Sequence, residues 1–161
     1  PALAISMEKS SKDLLNEKPR SSKESILTKD FLIDTGYQGV LLAIATVGAF
    51  FIGLQTDAMT ASTMAFATLC LGRLFHGFNC KSDHPVLFTK RCFNNKWLQG
   101  AFLLGAALIT AVLMIPELHI IFKVETLNWI QLGLVYLYAF VSLPIIQFLK
   151  WVRIKLRKNG E

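Results

Sequence analysis

Apolar residues fall in four blocks along this chain, at 37–54, 58–78, 97–115 and 129–149, with polar or charged residues between them. Each block runs about 18 to 21 residues, and a helix needs about 20 to cross the hydrocarbon core of a bilayer. The pattern predicts an all-α fold, an integral membrane four-helix bundle with a polar leading segment over 1–36. A buried soluble helix can imitate one such block, but four in succession leave too little polar surface to face water. The connections are the turn 55–57, the polar segment 79–96 and the shorter loop 116–128.

Composition agrees and adds an orientation. Hydrophobic residues make up 53% of the chain and its mean hydropathy is +0.45, which with the membrane-length blocks is too apolar for an ordinary soluble domain. The net charge of +6 is unevenly placed. Lys9, Lys12, Lys18, Arg20, Lys23 and Lys29 precede the first block, Lys81, Lys90, Arg91 and Lys96 lie in the middle loop, and Lys150, Arg153, Lys155, Arg157 and Lys158 form a basic tail. The other two loops hold only Lys123. Under the positive-inside rule both termini and the 79–96 loop are cytoplasmic, and the 55–57 and 116–128 turns face outward. The basic excess is therefore a topology signal, and the expected partner is the lipid bilayer with no nucleic acid. Trp97, Trp129, Trp151 and Tyr37 mark block ends, where amphipathic rings favour the headgroup region.

Within the blocks, Ala45, Ala49 and Gly53 recur at every fourth position, as do Ala101 and Gly105, so neighbouring backbones can approach closely. Such stripes also receive helices from outside a chain. Pro144 removes a backbone hydrogen bond from the last block and is expected to bend it, with Ser142 placed to relieve the freed carbonyls. The segment from 7 to 34 reads as a short helical turn at Asp13, Leu14 and Leu15 followed by a connector ending at Pro19, with no signal-peptide pattern.

Catalytic chemistry is not visible. There is no phosphate-binding glycine loop, no dinucleotide turn and no nucleophile paired with a base. Cys80, His84 and Cys92 share a loop, but their spacing fits no zinc pattern and a fourth ligand is missing. Cys70 reads as a small packing residue. No catalytic, cofactor or metal residue is expected in the chain itself.

Arg73 is the exception to the apolar rule. A charge at membrane depth is costly, so such residues face a bundle interior, a water-filled cavity or the nearer interface. Arg73 lies about six residues from Asn79, roughly 9 Å of helix rise, so snorkelling to the cytoplasmic surface is the competing reading.

Residues 63–83, TMAFATLCLGRLFHGFNCKSD, closely resemble the eighth transmembrane helix of P-type cation-transporting ATPases of the calcium-pump class. The likeness covers essentially the whole chain. Pro1, Ala2, Leu3 and Ala4 resemble the cytoplasmic end of the sixth helix, and residues 17–24, EKPRSSKE, resemble the loop joining helices six and seven. Asn95, Lys96, Trp97 and Leu98 resemble the start of helix nine, and Pro116, Glu117 and Leu118 with Ile121 and Phe122 the outer loop before helix ten. The family often has an acidic residue near the cytoplasmic end of the last helix, where this chain has Ile145, Ile146 and Gln147.

The resemblance implies the C-terminal membrane part of a pump, helices seven to ten, in a bacterial cell membrane. The parent would use ATP and Mg2+, through a phosphorylated aspartate, to export Ca2+ with proton counter-transport. The ligand-bearing helices and the phosphorylation domain, its implied partners, lie outside this chain, which should be inactive alone. Lys18, Pro19, Arg20 and Lys23 fall in the implied coupling loop. In two-site calcium pumps the position matching Arg73 is a glutamate ligand, and an arginine has no acceptor to offer a cation. One cation site is therefore implied, with Arg73 as its neighbour. A pump for another cation, or a stand-alone four-helix accessory protein, remains the alternative.

Overall fold

The computed structural model of the protein describes residue 6 and residues 29–80 and 95–158. Every regular element among them is helical: α1 (Lys29–Gly53), α2 (Ala58–Asn79), α3 (Lys96–Met114), α4 (Pro116–Phe122) and α5 (Trp129–Lys158). Four of these, α1, α2, α3 and α5, are long and apolar enough to cross a membrane, so the all-α membrane bundle read from the blocks is the fold.

Helix boundaries depart from the block boundaries in three places. α1 begins at Lys29, eight residues before position 37, and its polar first turns include Asp34, which is ion-paired with Arg153 of α5. α5 continues past 149 to Lys158. The connection between α3 and α5 contains α4, which starts on Pro116 at its first turn and ends on Lys123 in the left-handed region (φ 50, ψ 48). α5 also runs unbroken through Pro144. The Ser142 hydroxyl donates to the Ala139 carbonyl at 2.8 Å, although the carbonyl left without its usual donor by the proline is that of Phe140.

Capping residues set the starts. The Asp57 carboxylate accepts from the backbone N–H groups of Met59 (2.7 Å) and Thr60 (2.8 Å) and from the Thr60 hydroxyl (2.7 Å). Those bonds, the Thr60 backbone first, hold its carboxyl below the usual carboxylate range. Asn95 Oδ1 accepts from Leu98 N at 3.0 Å to open α3. Asn128 and Gln131 cap α5 reciprocally, each backbone N–H donating to the other side chain.

α2 is the central helix. It contacts α1, α3 and α5, while α1 also meets α5, so α3 sits at the periphery. Ala49, Met64, Ala67, Leu71, Leu113, Val135 and Ala139 form the main core. A second cluster of Phe78, Leu98 and Leu143 is extended by Phe75 and Phe102, whose rings lie 4.9 Å apart.

The small-residue stripes find their partners inside the chain. A Cβ on Gly53 would stand 2.5 Å from the Cα and 2.8 Å from the nitrogen of Ala61, and one on Gly105 would meet Leu74 at 2.8 Å. They therefore give no sign of an absent helix. At Gly53 the obstacle is α2 backbone, which cannot rotate aside. Gly53→Ala is expected to destabilise by about 1–3 kcal/mol, the usual range for overpacking. Gly100→Ala, with nothing within 4 Å, should be neutral or stabilising in the same thermal-unfolding measurement on purified protein. Equal midpoints for the two variants would rule out the close α1–α2 approach.

Candidate functional site

α2 contacts three helices and still leaves one stripe uncovered. Met59, Ser62, Phe66, Leu69 and Arg73 are exposed at spacings of three and four residues, which puts them on one face of the helix. The stripe begins apolar and ends in a charge. Thr60, Thr63, Met64, Ala67, Leu71 and Gly72 point the other way and are buried. Arg73 thus projects away from α1, α3 and α5, and no hydrogen bond or ion pair to it occurs among the described residues.

The position along the helix matters as much as the face. Arg73 is the sixteenth of the 22 residues of α2, roughly 22 Å of rise from Ala58 and 9 Å from Asn79. A guanidinium at that depth needs acceptors or water. No acceptor reaches it among the described residues, so its surroundings on the stripe come from water, lipid headgroups, other segments of the chain or protein outside it.

At the Asn79 end of α2 some of the polar groups are paired within the chain. Asn79 is fully buried; its Oδ1 accepts from Gln147 Nε2 at 2.7 Å, and its backbone carbonyl accepts from Lys150 Nζ at 2.6 Å. The amide nitrogen of Asn79 and Nδ1 of His76 are buried without a partner among the described residues. Nearby on the same membrane side, Arg153 of α5 is ion-paired with Asp34 of α1, closing the gap between the first and last spans. These contacts join α1, α2 and α5 at the Asn79 end of α2.

Of the residues singled out from the sequence, Arg73 is displayed as a free-standing charge, while Lys18, Pro19, Arg20 and Lys23 lie outside the described residues, as do His84 and Cys92. Cys70 is half-buried and Cys80 exposed, both as free thiols. The Asn79–Gln147 pair and the Asp34–Arg153 pair were not anticipated. The only sequence signal for the first was an amide standing where the resembling family often has an acid.

Comparison with known proteins places these features. The model of the family described as "Cation transporting ATPase, C-terminus" matches residues 1–152. The chain is 31% identical to Calcium-transporting ATPase 1 of Bacillus cereus over an alignment covering 93% of the chain and 19% of that protein. It is 35% identical to Calcium-transporting ATPase of Bacillus subtilis, covering 76% of the chain and 14% of the relative. A calcium-transporting ATPase of Listeria monocytogenes is 33% identical over 77% of the chain. The chain thus spans less than a fifth of the length of the first two relatives.

Proposed function

The chain belongs to the cation-transporting P-type ATPases, as their C-terminal multi-pass membrane region, and from that premise we propose that it braces the transport helices of a calcium-exporting pump with a single cation site. The observation that carries this reading is Arg73, a permanent cation at membrane depth on the one stripe of α2 that the four helices leave uncovered. The stripe is where the rest of the pump docks, and the guanidinium lies beside carboxylates of its ligand-bearing helices. Repulsion at close range and the lack of any acceptor on arginine disfavour a second divalent ion there.

Calcium is preferred over other cations because the relatives are named calcium-transporting ATPases. ATP, Mg2+ and the phosphorylated aspartate act in the rest of the parent, with protons as the counter-ion, and both termini of this chain lie in the cytoplasm. The measurement is the number of calcium ions bound per phosphorylation site in the intact pump. One supports the reading; two per cycle overturns it, and calcium-independent phosphorylation turns the reading to another cation.

The leading segment carries a separate role. Lys18, Pro19, Arg20 and Lys23 form a coupling loop against the phosphorylation domain, supported by the basic composition and the match of the family model through this region. Reversing Lys18, Arg20 and Lys23 to glutamate in the intact pump is expected to slow phosphorylation or turnover while calcium affinity stays close to normal. Unchanged turnover with normal membrane insertion reduces the segment to a linker.

A further inference from the structure

The outer connection between α3 and α5 is an ordered structure with an unusual surface. Its inner side is fixed: Val124 and Leu127 are buried, Leu127 joins the main core, and the backbone N–H of Glu125 donates to the Thr63 hydroxyl of α2 at 2.9 Å. His119 is tied to the Leu113 carbonyl at 3.3 Å and to Thr126 at 3.4 Å. With that side pinned, α4 cannot turn. Its outer side then presents Ile120 at 84% exposure and Ile121 at 72%, followed by the half-exposed Phe122.

Three observations say what covers these side chains. α3 has 19 residues, a rise of about 28 Å, so nearly its whole length is needed to cross a hydrocarbon core of about 30 Å. The turn at Ile115 and Pro116 is therefore held at the outer boundary of the membrane. On the far side the chain re-enters through Trp129 and Ile130, exposed at 76% and 75%, with an indole where aromatic side chains favour the headgroup region. Met114 and Ile115 are exposed as well, so exposed apolar side chains recur at the end of α3, on α4 and at the start of α5, with the exposed polar residues Glu117, Lys123, Glu125, Thr126 and Asn128 between them. Glu117 stands in the first turn of α4, where the helix dipole favours a carboxylate and where headgroups and water remain within reach.

We propose that α4 is an interfacial anchor, lying in the outer leaflet with Ile120, Ile121 and Phe122 inserted at the boundary between headgroups and acyl chains. Its partner is lipid, engaged through apolar area, and the role of the anchor is to fix the height and tilt of α3 and α5 in the membrane.

The test uses the intact pump reconstituted in phospholipid vesicles, with a nitroxide attached at Ile120→Cys, Ile121→Cys or Phe122→Cys in a background without other reactive cysteines. Retained ATPase activity shows that each labelled protein is folded, and the three sites stand in for one another if one variant fails. Collisions with oxygen should exceed collisions with a water-soluble nickel chelate several-fold at these sites. The ratio should fall below that at Leu104→Cys, on the exposed middle of α3, and above that at Glu117→Cys. A chelate-dominated signal at 120–122 means a loop standing in water and overturns the proposal. Protection from both reagents means coverage by protein and overturns it equally.

Discussion

Arg73→Ala in the intact pump is expected to reduce calcium-dependent turnover by more than tenfold, whereas Lys81→Ala, in the basic segment that follows α2 in the sequence, leaves it nearly unchanged. Arg73 is exposed and makes no hydrogen bond or ion pair among the described residues, so its removal should leave the packing of α1, α2, α3 and α5 largely intact. Any functional loss then has to come from what Arg73 meets outside the chain. If those neighbours are carboxylates, deleting their partner strands a buried charge, which typically costs about 3–5 kcal/mol. Every 1.4 kcal/mol is about a factor of ten, so even a fraction of that penalty gives a large effect. Arg73→Lys keeps the charge but loses the planar fork, and an intermediate phenotype is expected. Arg73→Glu supplies one carboxylate and not the six to eight oxygens that calcium takes, so it need not create a second site. The discriminating pair is turnover and thermal stability measured on the same preparation. Loss of turnover with an unchanged unfolding midpoint supports the transport-site reading. Unchanged turnover leaves Arg73 as a snorkelling residue at the lipid surface.

The spans were legible because length and hydropathy alone decide whether a helix can cross a membrane, and all four blocks became helices. Their ends were less legible. Asp34 and Arg153 are 119 positions apart, and their pairing within the polar start of α1 arises only when the first and last spans are packed side by side. The glycine stripes could be found from spacing, but spacing says nothing about the partner, and Gly53 spends its missing side chain on Ala61 within the chain. Arg73 was conspicuous as a charge in an apolar block. Its direction was not, since α2 has neighbours on most of its circumference and only their placement shows which stripe stays open. The coupling-loop residues fall outside the described residues, so their role rests on the chain's composition and family membership alone.

Gln147→Leu is expected to destabilise the protein and Gln147→Glu to be tolerated. Asn79 is fully buried at the end of α2, and the one side-chain bond it makes among the described residues is the one it accepts from Gln147. Leucine at 147 removes that donor and leaves both ends of a buried amide unpaired, a loss of roughly 1–3 kcal/mol. Replacing both partners, as in Asn79→Leu with Gln147→Leu, removes the stranded groups together and should recover much of the difference, giving a positive coupling in a double-mutant cycle. Glutamate at 147 changes the sign of the available bond. A carboxylate only accepts, and the Asn79 amide has a nitrogen that currently finds no acceptor among the described residues; rotating that amide by half a turn would point the nitrogen at the new carboxylate. Lys150, which already reaches the Asn79 carbonyl at 2.6 Å, would lie close enough to offset the charge. The position is therefore expected to hold either an amide or an acid, with Asn79 turning to suit. Unfolding midpoints of the two single variants decide it: glutamate falling as far as leucine would mean that Asn79 cannot turn.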